Sequence, residues 1–87
     1  EFKIKKIFPN PFNPSTLISY QIPKSGDIKI DVFNVAGKKI ESIFSGYKKV
    51  GIHEVYWYPK NLSSGFYFIK INYNDKISKT QKVMLLK

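Results

Sequence analysis

The residue types that could do chemistry in this chain are few and poorly placed for it. His53 is the only histidine and there is no cysteine, so neither a thiol nucleophile nor a metal site built from several His or Cys ligands can form. Glu54 follows His53 directly. Neighbouring side chains of an extended strand point to opposite faces, so these two residues cannot act as an acid–base pair.

The carboxylates give no better candidate for catalysis. Asp27 and Asp31 share a strand face but are four residues apart, about 13 Å on an extended chain. That separation fits neither a retaining nor an inverting carboxylate pair. The chain also has no P-loop, GxGxxG, HExxH or GxSxG motif. We therefore expect a domain that is not an enzyme, with no catalytic residues, no cofactor and no metal.

The charge is strongly positive and is carried by lysine alone. The formal net charge is +9, and all 15 basic residues are Lys, spread from Lys3 to Lys87. Nucleic-acid binding is not expected, because arginine supplies most bidentate contacts to bases and phosphates and is absent here. Dispersed lysines are typical of solubility and of protected sheet edges. An acidic partner or an anionic surface, such as a cell-surface glycan, remains the alternative.

The length of 87 residues indicates one domain. A helix that spans a membrane needs about 20 mainly apolar residues, and the longest charge-free stretch, residues 7–23, is interrupted by four prolines. Because residue 1 is not methionine, we expect a fragment or a processed product of a larger protein. A common restriction site encodes the dipeptide Glu1-Phe2, so these two residues are a candidate cloning scar. We therefore base no fold prediction on them. Residues 1–7 form a linker or a first edge strand, and residues 8–87 form the main domain.

Apolar residues alternate with polar ones along several short segments, which predicts β-strands. β-branched and aromatic residues are abundant, and Ala36 is the only alanine. The uneven spacing of Ile40 and Ile43 predicts a bulge. The predicted strands are Thr16–Ile22, Asp27–Asn34, Ile40–Phe44, His53–Tyr58, Phe66–Tyr73 and Lys79–Leu86, with Lys3–Phe8 as a further one. The predicted turns are Pro23–Gly26, Ala36-Gly37, Ser45-Gly46 with Gly51 following, Pro59–Gly65 and Asn74-Asp75.

Short antiparallel strands with one apolar face bury those faces by packing as two sheets. We therefore expect an all-β, immunoglobulin-like β-sandwich of about seven antiparallel strands, which folds as a monomer. Its core is predicted to centre on Trp57. The residues expected around Trp57 are Tyr67, Ile30 and Val32.

Residues 8–16 read Phe-Pro-Asn-Pro-Phe-Asn-Pro-Ser-Thr. Proline fixes φ and lacks an N–H donor, so this segment is neither a helix nor a central strand. It is predicted to be a stiff lead-in to the first sandwich strand. Phe8 and Phe12 are expected to pack on the sheet, and Asn10, Asn13 and Ser15 to bond nearby backbone.

The Phe-Pro-Asn-Pro-Phe-Asn-Pro-Ser-Thr segment opens a longer pattern that runs along about 80 residues. The pattern resembles the C-terminal sorting domain (type A) of cargo proteins of the type IX secretion system. It is similar also to the immunoglobulin-like domain of flagellar hook-capping proteins. Its other parts in this chain are Ile18–Pro23, Val32–Ile40, Gly51–Trp57, Leu62–Phe68 and Lys82–Lys87.

The resemblance implies an export signal rather than a catalyst. Such a domain follows a larger secreted protein, is recognised by secretion machinery after transit through the periplasm, and sends its cargo to the cell surface or the medium. The residues that match the family's motifs are candidates for recognition. They are Pro9, Asn10, Pro11, Asn13, Pro14, Gly37, Gly65, Tyr67, Lys82 and Lys87. Small departures, such as Phe33-Asn34 where Tyr-Asp is usual, bear on partner specificity.

Four aromatic residues are predicted to point away from the core of their own strands, and they leave a second function class open. An exposed aromatic surface can stack on sugar rings, or it can pack under a neighbouring domain of the parent protein. The alternative is therefore a non-catalytic accessory module that binds a glycan or a neighbouring domain. The four residues are Tyr56, Tyr58, Phe66 and Phe68.

Overall fold

The computed structural model describes all of residues 1–87 and is built only from β-strands and their connections. It contains no helix with the length and hydropathy needed to cross a membrane. The seven strands are β1 (Lys3–Phe8), β2 (Thr16–Ile22), β3 (Gly26–Phe33), β4 (Lys39–Lys48), β5 (Gly51–Trp57), β6 (Gly65–Tyr73) and β7 (Ile77–Leu85).

The strands form two antiparallel sheets, in the orders β1-β2-β5 and β4-β3-β6-β7. Consecutive strands change sheet between β2 and β3, between β4 and β5, and between β5 and β6. This arrangement agrees with the predicted immunoglobulin-like sandwich. Tyr67 adds a known mark of the fold, because its hydroxyl donates to the Ser63 carbonyl 2.7 Å away, just before β6.

The core lies between the sheets and is made by the inward faces that the period-two pattern predicts. Trp57 is fully buried at its centre, as expected, with Ile30, Val32 and Tyr67 also buried. The residues that share the core across both sheets include Ile18, Tyr20, Ile22, Ile28, Ile69, Ile71, Tyr73, Val83 and Leu85.

Phe2 also belongs to this core, although it lies outside the predicted strands. Its side chain is only 5% exposed, and its ring centroid lies 5.3 Å from that of Tyr73. Phe8, in contrast, was expected to pack on the sheet but lies on the surface. It is 65% exposed because it pairs with Leu17 on the outer face of the three-stranded sheet.

The third and fifth predicted turns are both present, but the sequence locates the fifth more closely than the third. Ser45-Gly46 and Gly51 bracket the third turn as predicted, but Ser45 and Gly46 themselves belong to β4, which continues to Lys48, and Gly46 pairs with Ile28 of β3. The Phe44 ring covers Gly46, and a Cβ there would lie 3.1 Å from Phe44 Cζ. The chain instead reverses at Lys49-Val50. Asn74 and Asp75 do form the central pair of a tight turn, with φ of 54° at both residues and a bond from the Lys76 N–H to the Tyr73 carbonyl.

The predicted bulge in β4 is present and is double. The pairing of β3 with β4 shifts register twice, and these shifts leave Ile40 and Ile43 without a Cα partner on β3. Both residues are half-buried against the core. The extra residues let β4 turn apolar side chains inward at irregular spacing, which explains the broken alternation of its sequence.

Candidate functional site

The connection between β1 and β2, residues 9–15, is here called the proline arm. Pro9, Pro11 and Pro14 have no N–H to donate, and the peptide bond before each is cis. Because its three prolines lack N–H donors, the arm makes few backbone hydrogen bonds of its own. Its contacts to β7 come from Asn10 and Phe12, which stand between the prolines.

Asn10 uses its side-chain amide as an edge strand would use its backbone. Its Oδ1 accepts the Met84 N–H at 2.9 Å, and its Nδ2 donates to the Lys82 carbonyl at 3.3 Å. Both partners belong to β7, the edge strand of the four-stranded sheet. The prediction that Asn10 bonds nearby backbone is therefore wrong, since its partners lie more than 70 positions away in the chain.

Phe12 continues this pairing through its own backbone. Its N–H donates to the Met84 carbonyl at 2.9 Å, and its carbonyl accepts the Leu86 N–H at 3.0 Å. Phe12 thereby forms an isolated parallel bridge with Leu85. Asn10 and Phe12 together cover the outward edge of β7 from Lys82 to Leu86. We call this contact the arm–β7 junction.

The Phe12 side chain anchors the junction in the core, as predicted. It is buried, and its ring centroid lies 5.4 Å from that of Trp57. The Trp57 ring in turn meets Tyr67 edge-on at 6.0 Å. Thr16, at the other end of the arm, is completely buried, and its Oγ1 donates to the Pro9 carbonyl at 2.8 Å. This bond ties the first residue of the arm to the first residue of β2.

Two further matched residues flank the closing strand. Gly65 begins β6 opposite Leu85 and has a φ of 148°, which favours glycine. Just before it, the Ser64 Oγ accepts the Lys87 N–H at 2.8 Å. Together with Tyr67, these contacts place the Gly-x-Tyr motif beside the end of β7.

The remaining candidates lie on the surface. Lys82 is exposed, and its Nζ lies 4.7 Å from the centroid of the Phe66 ring. Lys87 and Asn13 are also exposed. Gly37, with a φ of 86°, lies in the turn between β3 and β4 rather than in the junction. The structure therefore brings together the arm, the Gly-x-Tyr motif and the closing strand, but not Gly37.

The four aromatic residues do not form one surface. Tyr56 is exposed on the outer face of the three-stranded sheet, where its Cα partner is Leu17. Phe66 and Phe68 lie on the outer face of the four-stranded sheet, on the opposite side of the sandwich. Tyr58 is exposed just after β5. The predicted stripe is thus divided between two faces.

The side chains that could act as acids or bases are engaged in hydrogen bonds and packing within the domain. His53 Nε2 is bonded to the Lys49 carbonyl at 2.6 Å, and its ring packs on Tyr20, which agrees with a packing or hydrogen-bonding role. Burial raises the pKa of the Tyr20 hydroxyl above its ordinary value. No group of three or more His, Cys, Asp or Glu side chains comes together.

Sequence reasoning missed the surroundings of two acidic residues, Glu41 and Asp31. Glu41, on β4, accepts a bond from Trp57 Nε1 at 3.1 Å, so the core tryptophan has its only donor satisfied across the sandwich. Asp31 is 4% exposed on the outer side of β3, and its Oδ1 has no hydrogen-bond partner. A charged residue within a period-two strand gives no sequence signal for such burial.

Comparison with known proteins identifies the family. The family model described as the secretion system C-terminal sorting domain matches residues 6–86, nearly the whole chain. No curated protein and no solved structure matches. Domains of this family are non-catalytic signals that interact with secretion machinery and direct export out of the cell or to its surface. The chain therefore belongs to the C-terminal sorting domains of the type IX secretion system, and its function is that of a sorting signal.

Proposed function

We propose that the secretion machinery recognises the arm–β7 junction as a folded shape, in the periplasm, after the cargo has crossed the inner membrane. The supporting observation is the pair of hydrogen bonds between the Asn10 side chain and the backbone of Lys82 and Met84. It joins the first and last matched motifs of the sequence at one place. A linear signal would need no such contact.

The recognition residues of this proposal fall into two groups. Pro9, Asn10, Pro11 and Pro14 shape the arm, and Gly65 with Tyr67 supports β7 from the other side. Exposed side chains are available to touch a partner directly. They are Asn13, Lys82 and Lys87.

We propose that the folded signal comprises residues 8–87 together with residues 1–7, which supply most of β1 as its edge strand, and that it works as a monomer. Phe2 and Ile7 are buried in the common core, so removal of residues 1–7 would open that core to water. After export, the dispersed lysines would also favour contact with an anionic cell-surface glycan. Light scattering after size-exclusion chromatography tests the monomer.

The experiment fuses the domain behind an inert periplasmic reporter in a bacterium that has a type IX system. The intact domain is expected to send the reporter to the cell surface or the medium. Deletion of residues 79–87 removes most of β7 and its bonds to Asn10, so this reporter is expected to stay in the periplasm. The free energy of unfolding of each domain is measured separately, because a folding defect could mimic a recognition defect.

A double substitution separates shape from charge. Lys82→Gln with Lys87→Gln removes two exposed charges and leaves both backbones free to bond, so stability should change by less than about 0.5 kcal/mol per site. Normal export of this variant, with loss of export on deletion, supports recognition of shape. If the double variant is trapped although it is folded, basic charge is read and the shape proposal is wrong.

A further inference from the structure

A groove outside the arm–β7 junction lies on the outer face of the four-stranded sheet. Its volume is ≈ 280 Å³, just below the range of typical small-molecule sites, and it is shallow and open to solvent. Its floor is formed by Phe33 and Phe68, which are direct Cα partners on β3 and β6. Val35 and Gly37 form a wall, and Lys70 and Thr80 lie on the opposite side.

The wall of this groove is held in place by the turn between β3 and β4. Asn34 Oδ1 accepts the backbone N–H groups of Ala36 at 2.9 Å and Lys38 at 3.0 Å. The Gly37 N–H donates to the Asn34 carbonyl at 2.9 Å. Val35 is 73% exposed on this fixed turn. The groove is therefore preformed, so a ligand would not need to order the turn on binding.

The rim of the groove is positively charged. Lys70 Nζ lies 6.0 Å from the centroid of the Phe33 ring. Lys39 on β4 is the Cα partner of Phe33, and Lys82 on β7 is the Cα partner of Phe68, but the Lys82 ammonium lies over the Phe66 ring instead. None of the lining residues is acidic, and the nearby Asp31 is buried.

Exposed aromatic residues and edge lysines are common on soluble domains. Here both occur in one shallow, preformed site, where an acidic ligand would meet Lys70 in the lining and Lys39 on the next strand, beside an apolar floor. We propose that the groove docks an acidic peptide segment of the secretion machinery, with one large apolar side chain as its anchor. The identity of this partner rests on the proposed function, whereas the ligand chemistry rests on the groove alone.

The binding test uses the isolated 87-residue domain and NMR amide shifts. The probe is the peptide Asp-Glu-Phe-Asp-Glu with blocked ends. One control peptide has Gly for Phe, and the other has Asn and Gln for the acidic residues. The probe is expected to shift Val35, Gly37 and Lys70, and to bind about tenfold more tightly than either control. Equal binding by the Gly peptide, or shifts spread over lysines elsewhere, overturns the inference.

A matched pair of substitutions tests the location. Val35→Asp places a negative charge on the groove wall and should weaken the probe about tenfold. Val50→Asp makes the same change at another exposed valine, at the far end of β4, and should leave binding within about twofold. If both variants bind equally well, the groove is not the site. An alginate oligosaccharide that shifts the same residues as strongly as the peptide would make an anionic glycan the occupant and overturn the peptide.

The reporter fusion then tests the partner. Val35→Asp should reduce export, whereas Val50→Asp should not. If both variants export like the intact domain, docking to the machinery is wrong and the sorting function stands. If even the intact fusion stays in the periplasm, the proposed function fails in that host and so does the assignment of the partner. The peptide titration still decides whether the groove binds an acidic segment.

Discussion

The side chain of Asn10 accepts the backbone N–H of Met84 at 2.9 Å, although 74 positions separate the two residues in the chain. This amide completes the edge of a distant strand instead of bonding to its own neighbours in the chain. The proline arm and β7 therefore form one structural unit. Disruption at either end is expected to disturb the other.

Asn10→Ala removes both side-chain bonds to β7 and should lower the free energy of unfolding by about 1–2 kcal/mol. The loss is moderate because water can reach the exposed backbone groups of Lys82 and Met84 that remain. Asn13→Ala is the matched control in the same arm, and its exposed side chain predicts a change below about 0.5 kcal/mol. Urea unfolding of both variants gives the comparison. Equal effects would show that the bonds to β7 do not stabilise the domain.

Trp57→Ala should cost about 3–5 kcal/mol, the range for truncation of a large core aromatic side chain. The indole packs against Phe12 and Tyr67, and its N–H is bonded to Glu41. Tyr56→Ala, at the neighbouring exposed position, should cost less than about 1 kcal/mol. The two values come from the same denaturant titrations. A loss below about 1 kcal/mol for Trp57→Ala would contradict a core centred on this residue.

Tyr20 should make the domain less stable at high pH. Its pKa in the folded state is raised by burial above the ordinary value of 10.0. Below pH 10.0 the hydroxyl is protonated in both states, so its titration does not change the free energy of unfolding. Above pH 10.0 the unfolded state loses the proton more readily and is therefore favoured. Stability from Tyr20 is thus fully present below that pH and is lost as the pH rises through the folded pKa.

Tyr20→Phe isolates this effect from the titration of the lysines, which both proteins share. The measurement is the difference in unfolding free energy between wild type and variant from about pH 8 to about pH 11. The difference should be flat at first and then move in favour of the variant. A difference that stays constant over the whole range would show that Tyr20 ionises equally in both states.

The strands and their inward faces could be predicted from sequence because a half-buried strand imposes a period of two. Trp57, Val83 and Leu85 are buried where that pattern places them. The third turn lies at Lys49-Val50, inside the predicted bracket from Ser45-Gly46 to Gly51, but the sequence did not show that Gly46 still belongs to β4, because a glycine inside a strand gives the same signal as one in a turn. Only the Phe44 ring packed over it explains its place in β4.

Contacts between distant parts of the chain could not be predicted in the same way. Asn10 has polar neighbours to bond, and nothing in its sequence surroundings favours Met84 over them. Phe2 lies beyond the predicted strands, yet its ring reaches Tyr73 in the core. Both contacts depend on how the sheets are aligned, and a strand pattern alone does not define that alignment.

The export of the intact fusion protein tests the central claim most directly. The reporter with the 87-residue domain at its end is expressed in a strain with a working type IX system and in a matched strain whose system is inactivated. The account predicts reporter at the cell surface or in the medium of the first strain, and in the periplasm of the second. Equal distribution of the reporter in the two strains would contradict the account.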